Sequence, residues 1–90
     1  MRIQYLHSFD KDFSVLRPLD RTRVRHAIEA ALDYLSASHA PPKGLGLKKL
    51  RSHFWEIRVG LKLRILFALE ADCLTFILVG NHDDIRRALR

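Results

Sequence analysis

The sequence predicts an α+β domain with the element order β-α-α-β-β-β: an antiparallel four-stranded sheet with two helices packed on one face, closed by a short C-terminal helix. Two patterns and one limit carry that expectation. Beyond Asp20, the residues Val24, Ile28, Ala31, Leu32 and Leu35 fall at helical spacing and make one apolar stripe. From Phe54 the period changes, and residues 54–59, 63–69 and 73–79 form three runs rich in β-branched and aromatic side chains. The limit is length, because 90 residues suffice for one core and not for two, so residues 1–90 are read as a single domain.

Taken in order, residues 2–7 alternate polar and apolar and predict the first strand. Phe9, Phe13 and Leu16 then recur at helical spacing, with Ser8 or Asp10 as a cap and Pro18 as the stop. Asp20 is a good N-cap for the second helix. Its other face, with Arg21, Arg25, Glu29 and Asp33, reads as a solvated surface. Residues 36–44, with Pro41, Pro42 and Gly44, predict a loop that runs on into Leu47-Lys48-Lys49-Leu50-Arg51. Between the three later runs lie Gly60-Leu61-Lys62 and Glu70-Ala71-Asp72, both short enough for hairpin turns.

Composition narrows the function classes. With 48% hydrophobic and 29% charged residues the chain is of ordinary globular type. Sixteen Lys plus Arg against ten Asp plus Glu leave a net charge of +6, which points to an anionic partner. Cys73 alone closes no internal disulfide, so a reducing, cytoplasmic setting is expected. The start of the chain carries no long apolar stretch, and neither secretion nor membrane insertion is indicated. The five histidines do not fall at zinc spacing, and no phosphate-loop pattern or nucleophile elbow is present, so no metal and no cofactor are expected.

Side-chain parity sets the register, because residues opposite one another in an antiparallel pair share a face. A two-residue loop at Gly60-Leu61 would mix charge with core on both faces. A three-residue loop sets Arg58 against Arg64, Ile57 against Ile65 and Trp55 against Phe67, and separates the faces cleanly. The same count through the second turn sets Leu69 against Cys73 and Ile65 against Ile77, with Cys73 and Ile77 in the core. The far face then holds Glu56, Arg58 and Arg64 beside Phe54, Leu66, Leu74, Phe76 and Leu78. Such a patch is expected to be partly covered by a partner.

Two like charges opposite each other are destabilising by roughly 0.2–1 kcal/mol. Either Glu56 neutralises the pair in a surface network, or the pair is an anion site, and phosphate is the natural anion. The end of the last strand brings Gly80-Asn81-His82-Asp83 to the same end of the sheet. Cutting RNA without a metal needs a base for the 2′-hydroxyl, cations for the charge building on phosphorus and an acid for the departing oxygen. Arg58 and Arg64 would stabilise charge, since a guanidinium can hold two phosphate oxygens at once. His82 is suited to proton transfer at neutral pH. Asp83 either orients the imidazole or acts as a carboxylate base, or else caps a terminal helix over residues 84–90. Lys48, Lys49 and Arg51, with Lys62, Arg86 and Arg87, are candidates for gripping backbone phosphates.

Four segments in order, Leu47-Lys48-Lys49-Leu50, Phe54-Trp55-Glu56-Ile57-Arg58-Val59-Gly60, Leu63-Arg64-Ile65-Leu66-Phe67 and Val79-Gly80-Asn81-His82-Asp83-Asp84-Ile85, resemble the RelE/ParE superfamily of toxins from type II toxin–antitoxin systems. By element order the likeness spans the whole chain. The RelE branch implies a metal-independent endoribonuclease that cuts mRNA on the ribosome, inhibits translation, and is silenced by a cognate antitoxin in a hetero-oligomer. It matches Arg58 and Arg64 to strand arginines, Lys48 and Lys49 to a basic segment before the strands, and His82-Asp83 to a Gly-x-His-Asp ending. The chain departs from it at Arg86, where many relatives carry a base-stacking aromatic. The ParE branch implies inhibition of DNA gyrase without RNA chemistry. A third alternative is a non-catalytic relic that only binds RNA or antitoxin.

Overall fold

A computed structural model describes residues 1–37 and 45–90. Its elements are β1 (Arg2–Tyr5), α1 (His7–Ser14), α2 (Pro18–Ala37), β2 (Leu47–Lys49), β3 (Phe54–Val59), β4 (Leu63–Glu70), β5 (Cys73–Gly80) and α3 (His82–Ala88). The α+β class and element order follow the sequence pattern; of the loop expected over residues 36–44, residues 36 and 37 instead continue α2, and the rest lies outside the described residues. The sheet has five strands rather than four, in the order β1-β5-β4-β3-β2. The added strand, β2, is the Leu47-Lys48-Lys49 segment read from sequence as a loop. Three residues are too few to show an alternation, and short, lysine-bearing strands are a usual form for a sheet edge. Nor is the sheet wholly antiparallel, since β1 runs parallel to β5, with Ile3 level with Leu74 and Tyr5 with Phe76.

The helix boundaries move for local reasons. Strand β1 ends at Tyr5, and α1 begins at His7 with Leu6 at its N-cap and no side-chain cap. Pro18 opens α2 instead of only stopping α1, because a first-turn residue has no intrahelical N–H bond to lose. Asp20 therefore sits in the first turn, 3.7 Å from Arg23, where a carboxylate also faces the positive helix end.

The expected stripe is buried. Val24 and Ala31 are fully enclosed and Ile28 nearly so, with Leu32 and Leu35 packed alongside. They cover Ile57, Ile65 and Phe67 of the sheet, as does Phe9 from α1. The ring of Phe9 lies 5.8 Å from Phe76, on which Tyr5 stacks at 5.1 Å. Such aromatic pairs add to the value of the buried area itself.

In the β3–β4 hairpin the register is the one parity requires, with Arg58 opposite Arg64, Ile57 opposite Ile65 and Trp55 opposite Phe67. The second hairpin differs. Leu69 pairs with Leu74 and Glu70 with Cys73, leaving a two-residue turn in which Ala71 takes φ 54°. A one-residue change in turn length inverts every side chain that follows. Leu74 and Phe76 are accordingly fully buried core residues, while Cys73 is only partly buried. A bulge between the Leu66 and Phe67 positions then inserts Ile77 and flips the parity back, so that Val79 pairs with Ile65 and returns to the core.

The face away from α1 and α2 has its own small cover. Leu66, opposite Leu78, is 1% exposed, and Ile85 of α3 is 3% exposed, yet neither belongs to the main core cluster. Asn81 caps α3 by accepting from the Asp84 N–H, and the Asp84 side chain accepts in return from the Asn81 N–H. The cap is thus Asn81 and not Asp83. The apolar patch expected to await a partner is largely gone, since Leu74 and Phe76 face the helices and Leu66 lies under the chain's own C-terminal helix.

Candidate nucleic-acid site

The arginine pair is the middle of a longer line. Arg58 donates its backbone N–H to the Gly46 carbonyl at 3.2 Å, and Arg64 pairs with Gly80. Residues 46, 58, 64 and 80 therefore form one row, running from the residue just before β2 across β3, β4 and β5. Both ends of the row lack a side chain, for different reasons. At Gly46, with φ +71°, a Cβ would come within 3.1 Å of the Arg58 Cβ and crowd that side chain. At Gly80 a Cβ would come within 2.7 Å of the Asp84 Cβ, so glycine is what lets α3 fold back against the sheet.

The two arginines differ. Arg58 is exposed and forms no ion pair among the described residues. Arg64 donates through Nη1 to both carboxylate oxygens of Glu56, at 2.7 and 3.2 Å. The Glu56 side chain is 6% exposed and that of Arg64 19%, so this is a largely buried charge pair inside an otherwise basic surface. Sequence reasoning had Glu56 near both arginines. It engages Arg64, its diagonal neighbour on the adjoining strand, and not Arg58, two residues along its own strand.

The other candidates are placed unevenly. Lys48 pairs with Glu56 in register and shares its face with the arginines. Lys49 pairs with Trp55 and points the other way, its Nζ 5.9 Å from the indole centroid. Arg51 is exposed in the β2–β3 turn, at the opposite end of that hairpin from Arg58. Lys62 is exposed in the β3–β4 turn, next to the row. His82 opens α3 two residues beyond Gly80, exposed like Asp83. Among the described residues no hydrogen bond joins His82 to Asp83, as expected for helix neighbours that do not face one another. Arg86 and Arg87 are exposed on α3, and Arg87 is paired with Asp84. The face thus holds Arg58 and Arg64 in the row, Lys48 in the next row and Lys62 in the adjoining turn, with the His82 segment leaving from the row's β5 end, and it does not gather Lys49 or Arg51.

No protein-family model matches the sequence, and no curated protein matches it. Solved structures do resemble the fold. A chain of the RelB–RelE antitoxin–toxin complex of Methanococcus jannaschii superposes with a TM-score of 0.70 at 22% identity, covering 97% of this chain and 99% of that one. A copper-bound mutant toxin from Helicobacter pylori gives 0.71 at 18% identity, covering 94% and 98%. A chain of the DinJ–YafQ complex of E. coli gives 0.66 at 19%, again covering 94% and 98%. The chain therefore has the fold of RelE-like toxins over nearly its full length.

Proposed function

We propose that this chain is the toxin of a type II toxin–antitoxin pair, a cytoplasmic endoribonuclease that cuts mRNA on the ribosome until a cognate antitoxin binds it. The observation that carries the reading is the row just described. Two arginines stand opposite each other in register on one face, and the chain leaves the neighbouring strand through Asn81 into His82. The structural relatives support it, because two of the three superposed here were solved as toxin–antitoxin complexes.

In this reading the 2′-oxygen attacks the adjacent phosphorus and the 5′-oxygen leaves, so one proton must be taken up and another supplied. Arg58 and Arg64 bind the non-bridging oxygens, where charge grows in the transition state. His82 moves a proton at the reacting oxygens, and Asp83 assists as a second proton carrier or by setting the local charge. Lys48, Lys62, Arg86 and Arg87 hold flanking phosphates, and their contribution weakens with salt. Lys49 and Arg51, off the row, would contact RNA only at a distance from the cut.

The test is expression with and without the adjacent antitoxin gene, together with RNA cleavage on purified ribosomes and supercoiling by DNA gyrase. Ribosome-dependent cleavage that the antitoxin suppresses is the expected outcome. Gyrase inhibition with intact RNA would move the chain to the ParE reading, and normal growth with intact mRNA would leave only binding.

A further inference from the structure

We infer that Glu56 is a positioning residue of this site: it grips Arg64 by a single nitrogen and so presents the opposite edge of that guanidinium to a phosphate. The inference rests on the nuclease reading for its catalytic consequence and on geometry alone for the grip. Both Glu56 oxygens are spent on the Nη1 group of Arg64, and no other hydrogen bond to that guanidinium occurs among the described residues. Its Nε and Nη2 groups remain, and these form the edge that matches two oxygens of one phosphate. That edge reaches solvent, because no described side-chain nitrogen or oxygen is both buried and without a partner.

Stability alone gives little reason for a carboxylate at this position. Glu56 is 5% exposed and shares its face with the fully enclosed Leu66. Burying an ion pair costs about as much as its attraction returns, and apolar replacements are often neutral or better. The pair has a clearer use at the row. Arg58 lies free opposite Arg64, and an unfixed second guanidinium would swing away from it by repulsion. Held by Glu56, Arg64 keeps one orientation while Arg58 adapts, so the two offer one rigid and one mobile cation to the same phosphate. Fixed donors need no reorganisation when charge develops, which is where positioning acts on turnover and not on binding.

The experiment compares the wild type with Glu56→Gln, which keeps size but sets an amide against Nη1, and with Glu56→Met, an apolar replacement suited to a covered position. Three readouts separate the possibilities: single-turnover cleavage on ribosomes, binding of a 2′-O-methyl oligoribonucleotide that cannot be cut, and the side-chain N–H signals of Arg64 by NMR. Both variants are expected to cut about 10- to 100-fold more slowly, the range typical when a supporting contact to a functional group is lost. Oligonucleotide binding should stay equal or tighten, since a negative charge has gone. The Arg64 signals should broaden while the backbone spectrum is kept, and Glu56→Gln should cost nothing further in an Arg64→Ala background. Equal slowing in that background, or Arg64 signals as sharp in both variants as in the wild type, overturns the inference. If the wild type cuts no RNA, the nuclease reading falls, and the NMR signals still decide the grip.

Discussion

The two faces of the sheet are built on different principles. Under α1 and α2 lies a thick layer in which Ile57, Ile65, Phe67, Leu74 and Phe76 are fully enclosed. On the other face, among the described residues, Leu66 is the fully enclosed strand side chain, beneath one seven-residue helix and bordered by a buried ion pair and an exposed arginine. The difference shows where the molecule keeps its stability and where it can hold like charges together. A strong core on one side tolerates a repulsive pair on the other, whereas an evenly shared core would not spare the area.

Substitutions should separate the faces by size of effect. Arg58→Ala should reduce RNA cleavage by about 100-fold or more, as expected for losing a transition-state donor, with the urea midpoint unchanged or slightly raised, because the side chain is exposed and its loss relieves the repulsion with Arg64. Phe67→Ala in the thick layer should lower unfolding free energy by about 3–5 kcal/mol in urea titration, a large share of a small domain's stability. Leu66→Ala on the thin face should cost about 2–3 kcal/mol, nearer the low end for large-to-small changes, because α3 can settle into the space. An equal loss at the two sites would mean that α3 packs as firmly as the long helices. Arg64→Ala should cost about 1–3 kcal/mol by stranding the buried Glu56, in contrast to Arg58→Ala. Gly80→Ala should be the mildest, at about 0.5–2 kcal/mol, by pushing Asp84 out of the capping box, with loss of helical signal confined to α3.

Much of this asymmetry can be read from side-chain order. The stripe of α2 and the parity of the first hairpin fix the thick face and the arginine pair, since a three-residue turn is the choice there that keeps charge out of the core. The second turn defeats the same reasoning. Ala71 takes a left-handed conformation with no glycine to signal it, and both faces of 73–79 are apolar, so hydrophobicity does not distinguish two registers. Ile77 adds a bulge that composition does not reveal. At the site, Arg58 opposite Arg64 follows from the first turn, whereas Gly80 stands opposite Arg64, where sequence parity sets Leu78, only because of that second turn and the bulge. The contrast between a held and a free guanidinium depends on which neighbour Glu56 reaches, and that needs coordinates.

Helix α1 does a strand's work. Beyond Phe76 no strand of the described residues pairs with the outer edge of β5, and the chain near α1 supplies the partners. Leu6 donates its N–H to the Phe76 carbonyl, the Ser8 hydroxyl donates to the Ile77 carbonyl, and the Asp12 carboxylate accepts from the Val79 N–H. Arg2 likewise donates to the Asp72 carbonyl. The first sixth of the polypeptide thus finds its hydrogen-bonding partners in the last quarter, and contacts so far apart in sequence form late. During synthesis the amino-terminal segment has nothing to dock on until the final strand emerges. A nascent chain stopped at residue 70 should remain protease-sensitive throughout, so the assembled surface comes into being only after β5 has been made.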